Sequence, residues 1–477
     1  MVISTLASVT NKTEAQAIAY EIEALCKLDQ CQLVTRPIGL HLFMKHGISR
    51  PVVKQKGQVV CPYCRQFYSK SHQYKCPKLR HAPSQFQNAT IPQSLQGGKE
   101  WTRRVLEDLR SRLGDGDEPE AHGEEIATNL LPHVAEATHP NRDAKLGDIE
   151  VHICDKDEDC DKAARYSKVP VIAENQQSFE WTGEEPPLIQ FLNHWKYERG
   201  LEVSVQISSR NRYTDSFEKR TFGEVIDRFL AGEASKESWN VLDLACRFPN
   251  VHPKFLEAEI FRFLDFIHWD SLQTNSAQRD AATTAEMKQY KMIEQGSLLA
   301  QPGSHTGFHI DSYGLGTWIT VQYGHFGFYW MANFTQEDTE RWAKDGTYNN
   351  GKVRYVVLGP KHTIFFPPGT VHAVVRLEPT LSFTGHKLRD CDIDIWPKVM
   401  AMQRKNSRIT NETMKDAVML RFLNSAHKRV QSMIERGDVD TIGGLEKAQE
   451  GVAAMEVRLY PGLMNVTNEN AETEVGN

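Results

Sequence analysis

Residues 303–311 read Gly303-Ser304-His305-Thr306-Gly307-Phe308-His309-Ile310-Asp311, and residues 365–375 read Phe365-Phe366-Pro367-Pro368-Gly369-Thr370-Val371-His372-Ala373-Val374-Val375. In an extended strand, residues two apart point to the same side, so His309 and Asp311 can reach one ion together while Ile310 turns into a core. An H-x-D triplet recurs by chance in chains of this length, so its surroundings decide. His372 follows a Pro-Pro-Gly turn and opens a β-branched run, the setting of a ligand held at the start of a strand. Two imidazoles and one carboxylate are the set that holds a non-haem Fe(II) on one face and leaves the opposite face open.

Between these ligands lie residues 316–323 (GTWITVQY), 327–331 (GFYWM) and 353–358 (VRYVVL). All are short, β-branched or aromatic, and interrupted by glycine, which is the pattern of a small barrel made of hairpins. The expected fold class is therefore a mainly β core with flanking helices, α+β and multidomain over the whole chain.

Together with Thr380-Leu381-Ser382-Phe383-Thr384-Gly385-His386 and, upstream, Trp239-Asn240-Val241-Leu242-Asp243-Leu244, these motifs resemble the Jumonji C oxygenases. Their order is most similar to the branch containing the F-box and PHD-finger histone lysine demethylases, over roughly residues 220–400. The resemblance implies a cupin-like double-stranded β-helix that binds Fe(II) and 2-oxoglutarate. His309, Asp311 and His372 are then the iron ligands at the catalytic centre, and Thr306 matches a hydroxyl that supports the distal carboxylate of the keto acid. It further implies a protein substrate, methyl-lysine of a histone tail first, and a nuclear location. Hydroxylation of a protein side chain would use the same residues.

One position departs from that pattern. The family has a lysine seventeen residues after the first ligand to pair with the distal carboxylate, and here that position is Phe326. A buried carboxylate without a cation is costly, so another donor takes over or 2-oxoglutarate binds poorly. Lys387, His386 and Arg354 are the candidates, with Lys387 carried as the cosubstrate contact; His325 should face the other side of its strand. Ile319 also stands where relatives have a polar contact.

A chain of 477 residues exceeds one core and suggests several domains: a basic N-terminal region (1–90), a helical and acidic linking region (91–165), the oxygenase domain (166–400), a C-terminal helical region (401–465) and a disordered tail (466–477). No run approaches the roughly 18 apolar residues of a membrane span, and the N-terminus does not read as a signal peptide, so no membrane partner is expected. Nine cysteines, odd in number and mostly scattered, favour a reducing compartment with free or metal-bound thiols.

Net charge is −6, yet from Cys31 to Asn88 there is no Asp or Glu against ten Lys and Arg, an electrostatic footprint for DNA or another polyanion. Within that block Cys61-Pro62-Tyr63-Cys64 followed by Cys76 and His81 resembles a C2H2 zinc finger with one histidine replaced, a candidate Zn(II) site. His72 with Cys76 is an alternative pair, and Pro77 disfavours a regular helix from Cys76 to His81. His41 and His46 lack a cysteine knuckle before them and are assigned to structure.

Elsewhere, residues 13–28 show a helical stripe, as do residues 98–113 through Trp101, Val105, Leu109 and Leu113. Residues 115–125 read as an acidic linker, and Asp155 to Asp159 lacks the glycine and terminal glutamate of a calcium loop, so it reads as a solvated run. Strands are expected near Val169–Ile172 and Val203–Ile207, and helices near Thr221–Leu230 and Lys254–Asp265. Residues 411–436 carry the clearest amphipathic stripe, Met414, Val418, Phe422, Ala426, Val430 and Met433, closed by Gly437. Such a face needs a partner, either the barrel or a second copy in a homodimer. Three functions fit: an oxygenase acting on a protein, a nucleic-acid-binding regulator whose barrel is a scaffold, or a non-catalytic cupin-like domain.

Overall fold

Phe326, Phe328 and Trp330 turn to one side of their strand while Tyr329 and Met331 turn to the other, and both sides are buried. That two-residue alternation within a continuous apolar run is what a strand shows when it is covered on both faces. The computed structural model describes residues 93–113, 124–140, 148–155, 157–207, 217–231, 237–274, 294–410 and 416–459, with short strands in the first 69 residues. Contacts divide the chain into two units, residues 1–89 with 143–148 and residues 90–142 with 149–477.

In the first unit Ala7–Val9, Ala24–Cys26 and Leu33–Thr35 form one sheet, and Gln58–Val60 pairs antiparallel with Phe67–Ser69. The helix expected over 13–28 is corrected at its end, because Ala24–Cys26 is a strand between two partners. Three apolar residues carry no helix-specific signal, and pairing decides. Cys61, Cys64, Cys76, His81, His41, His46 and residues 466–477 lie outside the described residues.

The strands of the second unit are, in chain order, β1 (His152–Cys154), β2 (Val171–Glu174), β3 (Glu202–Ile207), β4 (Phe217–Thr221), β5 (Trp239–Ala245), β6 (Gly296–Ala300), β7 (Thr306–His309), β8 (Gly316–Tyr323), β9 (Phe326–Met331), β10 (Val353–Leu358), β11 (His362–Phe366), β12 (His372–Arg376) and β13 (Thr380–Lys387). They make a large sheet in the order β1-β2-β11-β8-β13-β6-β5-β3-β4 and a small one in the order β7-β12-β9-β10. This is a cupin-like β core with flanking helices, as the hairpin pattern predicts.

Ile172, Ile319, Val321, Phe326, Phe328, Trp330, Val356, Ile364, Phe366 and Val374, drawn from strands of both sheets, form one buried interior cluster. Each such side chain contributes about 1.5–3 kcal/mol on burial. The other face of the small sheet is covered by the helices Gly98–Ser111 and Glu124–Glu136 through Val105, Leu109 and Leu130. The stretch read as a linking region thus contributes part of the core. The other face of the large sheet packs Trp318, Phe365 and Phe383 against Phe191, Phe222 and Val225 of the helices Pro187–His194 and Phe222–Ala231.

Two expectations need amendment. Lys254–Asp265 is not one helix: short turns at Lys254–Leu256 and Glu259–Phe261 precede a helix from Phe263 to Thr274, and Phe255, Leu256, Ile260 and Phe261 owe their apolar character to burial rather than to helical period. The helix Asp416–Arg436 finds its partner inside the chain. Phe422, Ala426, Val430 and Met433 pack with Phe263, Ile267, Trp396 and Met455, so the face that raised the expectation of a homodimer is already covered. Gly437, at φ 78°, ends this helix as expected. Among the described residues, no helix is long and apolar enough to cross a membrane.

Candidate metal centre

His309 and His372 are brought together by register: β7 and β12 are antiparallel and the two histidines are direct partners, with a bulge between Thr306 and His309. Asp311 follows where β7 ends and enters a tight turn in which Tyr313 takes φ 60°. That turn is pinned from the C-terminal side. Trp396 Nε1 donates to the Tyr313 carbonyl at 2.8 Å, and Gln403 Nε2 donates to the Asp311 carbonyl at 2.7 Å. Ile310 points into the core, as the spacing predicts.

The ligand atoms of His309, Asp311 and His372 all lie within 4.8 Å of one another. Asp311 Oδ1 is 3.3 Å from His309 Nε2 and 3.6 Å from His372 Nε2. Each imidazole uses its other nitrogen on a backbone carbonyl, His309 Nδ1 on Gly307 at 2.9 Å and His372 Nδ1 on Thr370 at 3.0 Å. Nδ1 therefore keeps the proton, and the Nε2 lone pairs converge on one point. This donor set and tautomer fit a divalent metal.

Electrostatics agree with that reading. Burial by itself would raise the Asp311 carboxyl, but the neighbouring His372 and His309 hold it well below the ordinary carboxylate range. Burial, with the His309 charge behind it, pushes His372 down to about 4, so it is neutral and able to donate near pH 7. Thr317 donates its hydroxyl hydrogen to Asp311 Oδ2 and accepts from His386 Nδ1 at 2.8 Å. That contact occupies Oδ2 and leaves Oδ1 facing the two imidazoles.

The lysine expected at the cosubstrate site is corrected by strand alternation. His386 faces the metal side through Thr317, so Lys387 faces the other, where its Nζ lies 3.9 Å from Asp265. Arg354 is likewise committed, to Glu150 at 2.8 Å. Phe326 and Ile319 are both in the apolar interior, and His325 points away and pairs with Glu378 at 2.7 Å. Thr306 Oγ1, the other expected cosubstrate contact, accepts from Nη1 of the buried Arg376 at 3.2 Å. Sequence reasoning missed Thr317, Gln403 and Arg376. Only Arg376 carried a signal, a lone cation at the end of the apolar run Val374-Val375.

A cavity of about 1160 Å³ lies beside the loop leading into His372, lined by Phe308, Trp330, Pro367, Thr370 and Val399 among others. It includes none of the three ligands.

Fold and site together define a cupin-like β core carrying a candidate two-histidine, one-carboxylate metal centre. No family model matches the chain. It is similar to Lysine-specific demethylase 7A of Mus musculus and of Homo sapiens, each 27% identical over 123 residues, which is 24% of this chain and 13% of each relative. Lysine-specific demethylase 7A of Xenopus tropicalis is 25% identical over 122 residues. The chain thus spans a small part of the length of these relatives, and over that part it is demethylase-like in sequence.

Proposed function

We propose that this chain is an Fe(II)- and 2-oxoglutarate-dependent oxygenase acting on a protein, with demethylation of a methyl-lysine in a histone tail as its reaction and a nuclear location. The observation that carries the proposal is the convergence of His309, Asp311 and His372 with both Nδ1 atoms tied to carbonyls. The match to Lysine-specific demethylase 7A supports the choice of substrate. Hydroxylation of a protein side chain would draw on the same three ligands.

When bound, Fe(II) with 2-oxoglutarate and O2 supplies the oxidising power to break a substrate C–H bond. The chain's own part is holding and shielding. His309, Asp311 and His372 would hold the ion from one side, and the Gly307 and Thr370 carbonyls keep both imidazoles in the ligating tautomer. Thr317 occupies Oδ2 of Asp311, so Oδ1 is the oxygen that would hold the ion. Phe328, Phe366 and Val374, beside His372, keep the interior dry, which strengthens every polar contact made there.

The test is anaerobic titration of the Fe(II)-loaded protein with 2-oxoglutarate, followed through the metal-to-ligand absorption band, then O2 and measurement of succinate. A band followed by succinate release with a methyl-lysine peptide supports the proposal; absence of the band refutes it.

The basic block from Cys31 to Asn88 favours a second reading, a DNA-binding regulator with Zn(II) on Cys61, Cys64, Cys76 and His81. Its test is DNA binding by the full chain at increasing salt, with affinity expected to fall steeply. Retained DNA affinity in a protein that shows no 2-oxoglutarate band would favour this reading over the first.

A further inference from the structure

We propose that Arg376 is the cation that receives the distal carboxylate of 2-oxoglutarate, taking over from the lysine that Phe326 replaces. This rests on the oxygenase reading above. Arg376 sits directly opposite Phe326 across the β9–β12 pair. Residues directly opposite in an antiparallel pair present their side chains on one face, so a cation at position 376 projects to the same side as one at position 326 would.

Its direction follows from β12 itself. His372, Val374 and Arg376 alternate with Ala373 and Val375, and Val374 lies in the interior cluster whereas Ala373 and Val375 lie in the cluster on the other face. Arg376 therefore shares the interior with the metal ligand His372. The two are four positions apart, roughly 13 Å along the strand. An arginine side chain reaching back and a five-carbon diacid reaching forward together cover that length.

The guanidinium is buried, with the residue 5% exposed. Its Nη1 donates to the Ser304 carbonyl at 2.6 Å and to Thr306 Oγ1 at 3.2 Å, both neutral acceptors. Among the described residues, no carboxylate forms an ion pair with it. A buried guanidinium without a counter-charge is expensive, and its planar fork of five N–H donors matches a carboxylate better than two neutral oxygens. Burial lowers its pKa only to about 10, so it stays charged at neutral pH. The other cations that could fill this role, Lys387 and Arg354, already face acids. Thr306 becomes the neighbour that orients the fork, which explains why a hydroxyl is useful there without the lysine.

The experiment is calorimetric binding to the full chain loaded with Mn(II), which requires no turnover. It compares 2-oxoglutarate with 2-oxobutyrate, a keto acid lacking the distal carboxylate. Native protein should bind 2-oxoglutarate far more tightly than 2-oxobutyrate. Arg376→Met should weaken 2-oxoglutarate by at least about 30-fold, leave 2-oxobutyrate unchanged, and so erase the difference. Adding Phe326→Lys to Arg376→Met should restore the preference from the opposite strand.

If Arg376→Met binds 2-oxoglutarate like native protein, the assignment of Arg376 is wrong and the oxygenase reading stands. If native protein binds neither keto acid, the oxygenase reading fails and this one with it. Should Arg376→Met not fold, Arg376→Gln, which keeps a donor for the Ser304 carbonyl and Thr306 without the charge, decides the same question: a selective loss for 2-oxoglutarate supports the clamp, and equal binding of that keto acid overturns it.

Discussion

His309 and His372 face each other as register partners across two antiparallel strands, with their ring centroids 4.3 Å apart. Two candidate ligands more than sixty residues apart in the chain are thereby placed by backbone hydrogen bonding, and the acid follows two residues after the first of them. Replacing any one of the three with alanine should abolish stoichiometric binding of Fe(II) or Mn(II) while the fold persists, since one polar side chain is removed from a site surrounded by buried strands. Metal content after anaerobic loading, read beside circular dichroism, checks this; full metal occupancy in His372→Ala would contradict the assignment.

Thr317 holds Asp311 from behind. Thr317→Val keeps the shape and removes the hydroxyl, so Asp311 loses its fixed orientation. Metal affinity should fall about 10- to 100-fold, the usual effect of losing such a supporting contact. Competition with a chelator measures it, and an unchanged affinity would show that the Asp311 carboxylate is oriented by other means.

Acid sensitivity should come from half-buried neutral histidines. Burial holds His152 at about 4 and His252 at about 3, both below the ordinary value of 6.5. Between about pH 6.5 and 4 the unfolded chain binds protons at these sites and the folded chain does not. Stability therefore falls as pH drops through that window, by up to about 1.4 kcal/mol per pH unit for each group. Urea midpoints of the metal-free protein at pH 7, 6 and 5 should decline in order, and His152→Gln should flatten the slope. A midpoint independent of pH would count against the burial argument.

Phe328 is fully buried between the sheets, with its ring stacked 5.4 Å from that of His372. Phe328→Ala should cost about 3–5 kcal/mol in unfolding free energy by opening a cavity, and should also loosen His372 and weaken metal binding. Denaturant titration and metal titration of the same variant separate the two effects. Loss of stability with metal affinity intact would confine Phe328 to packing.

The sequence made the candidate metal ligands legible because each obeys a local rule: a two-residue spacing for His309 and Asp311, and a turn before His372. The strands were legible for the same reason, since alternation and glycine breaks act within a few residues. Arg376 was hidden because its meaning lies in what stands opposite it, and register between β9 and β12 is not written in either strand alone. Lys387 was misjudged through phase: one residue along a strand exchanges the metal side for the outer one, and Lys387 keeps step with the outer-face Leu381 and Phe383 while Ser382, Thr384 and His386 mark the opposite side. The helix Asp416–Arg436 advertised a need for cover without saying that the cover comes from its own chain.

Trp396 and Gln403 both stand on the helix Trp396–Lys405, after the last strand of the β core, yet they grip the turn that presents Asp311. A fragment ending at Lys387 would keep every strand and both imidazoles but release the acid. Ion capture and the seating of the C-terminal helices are consequently two sides of one equilibrium: whatever pries that helical appendage loose should expel the metal, and whatever fills the centre should clamp the appendage down.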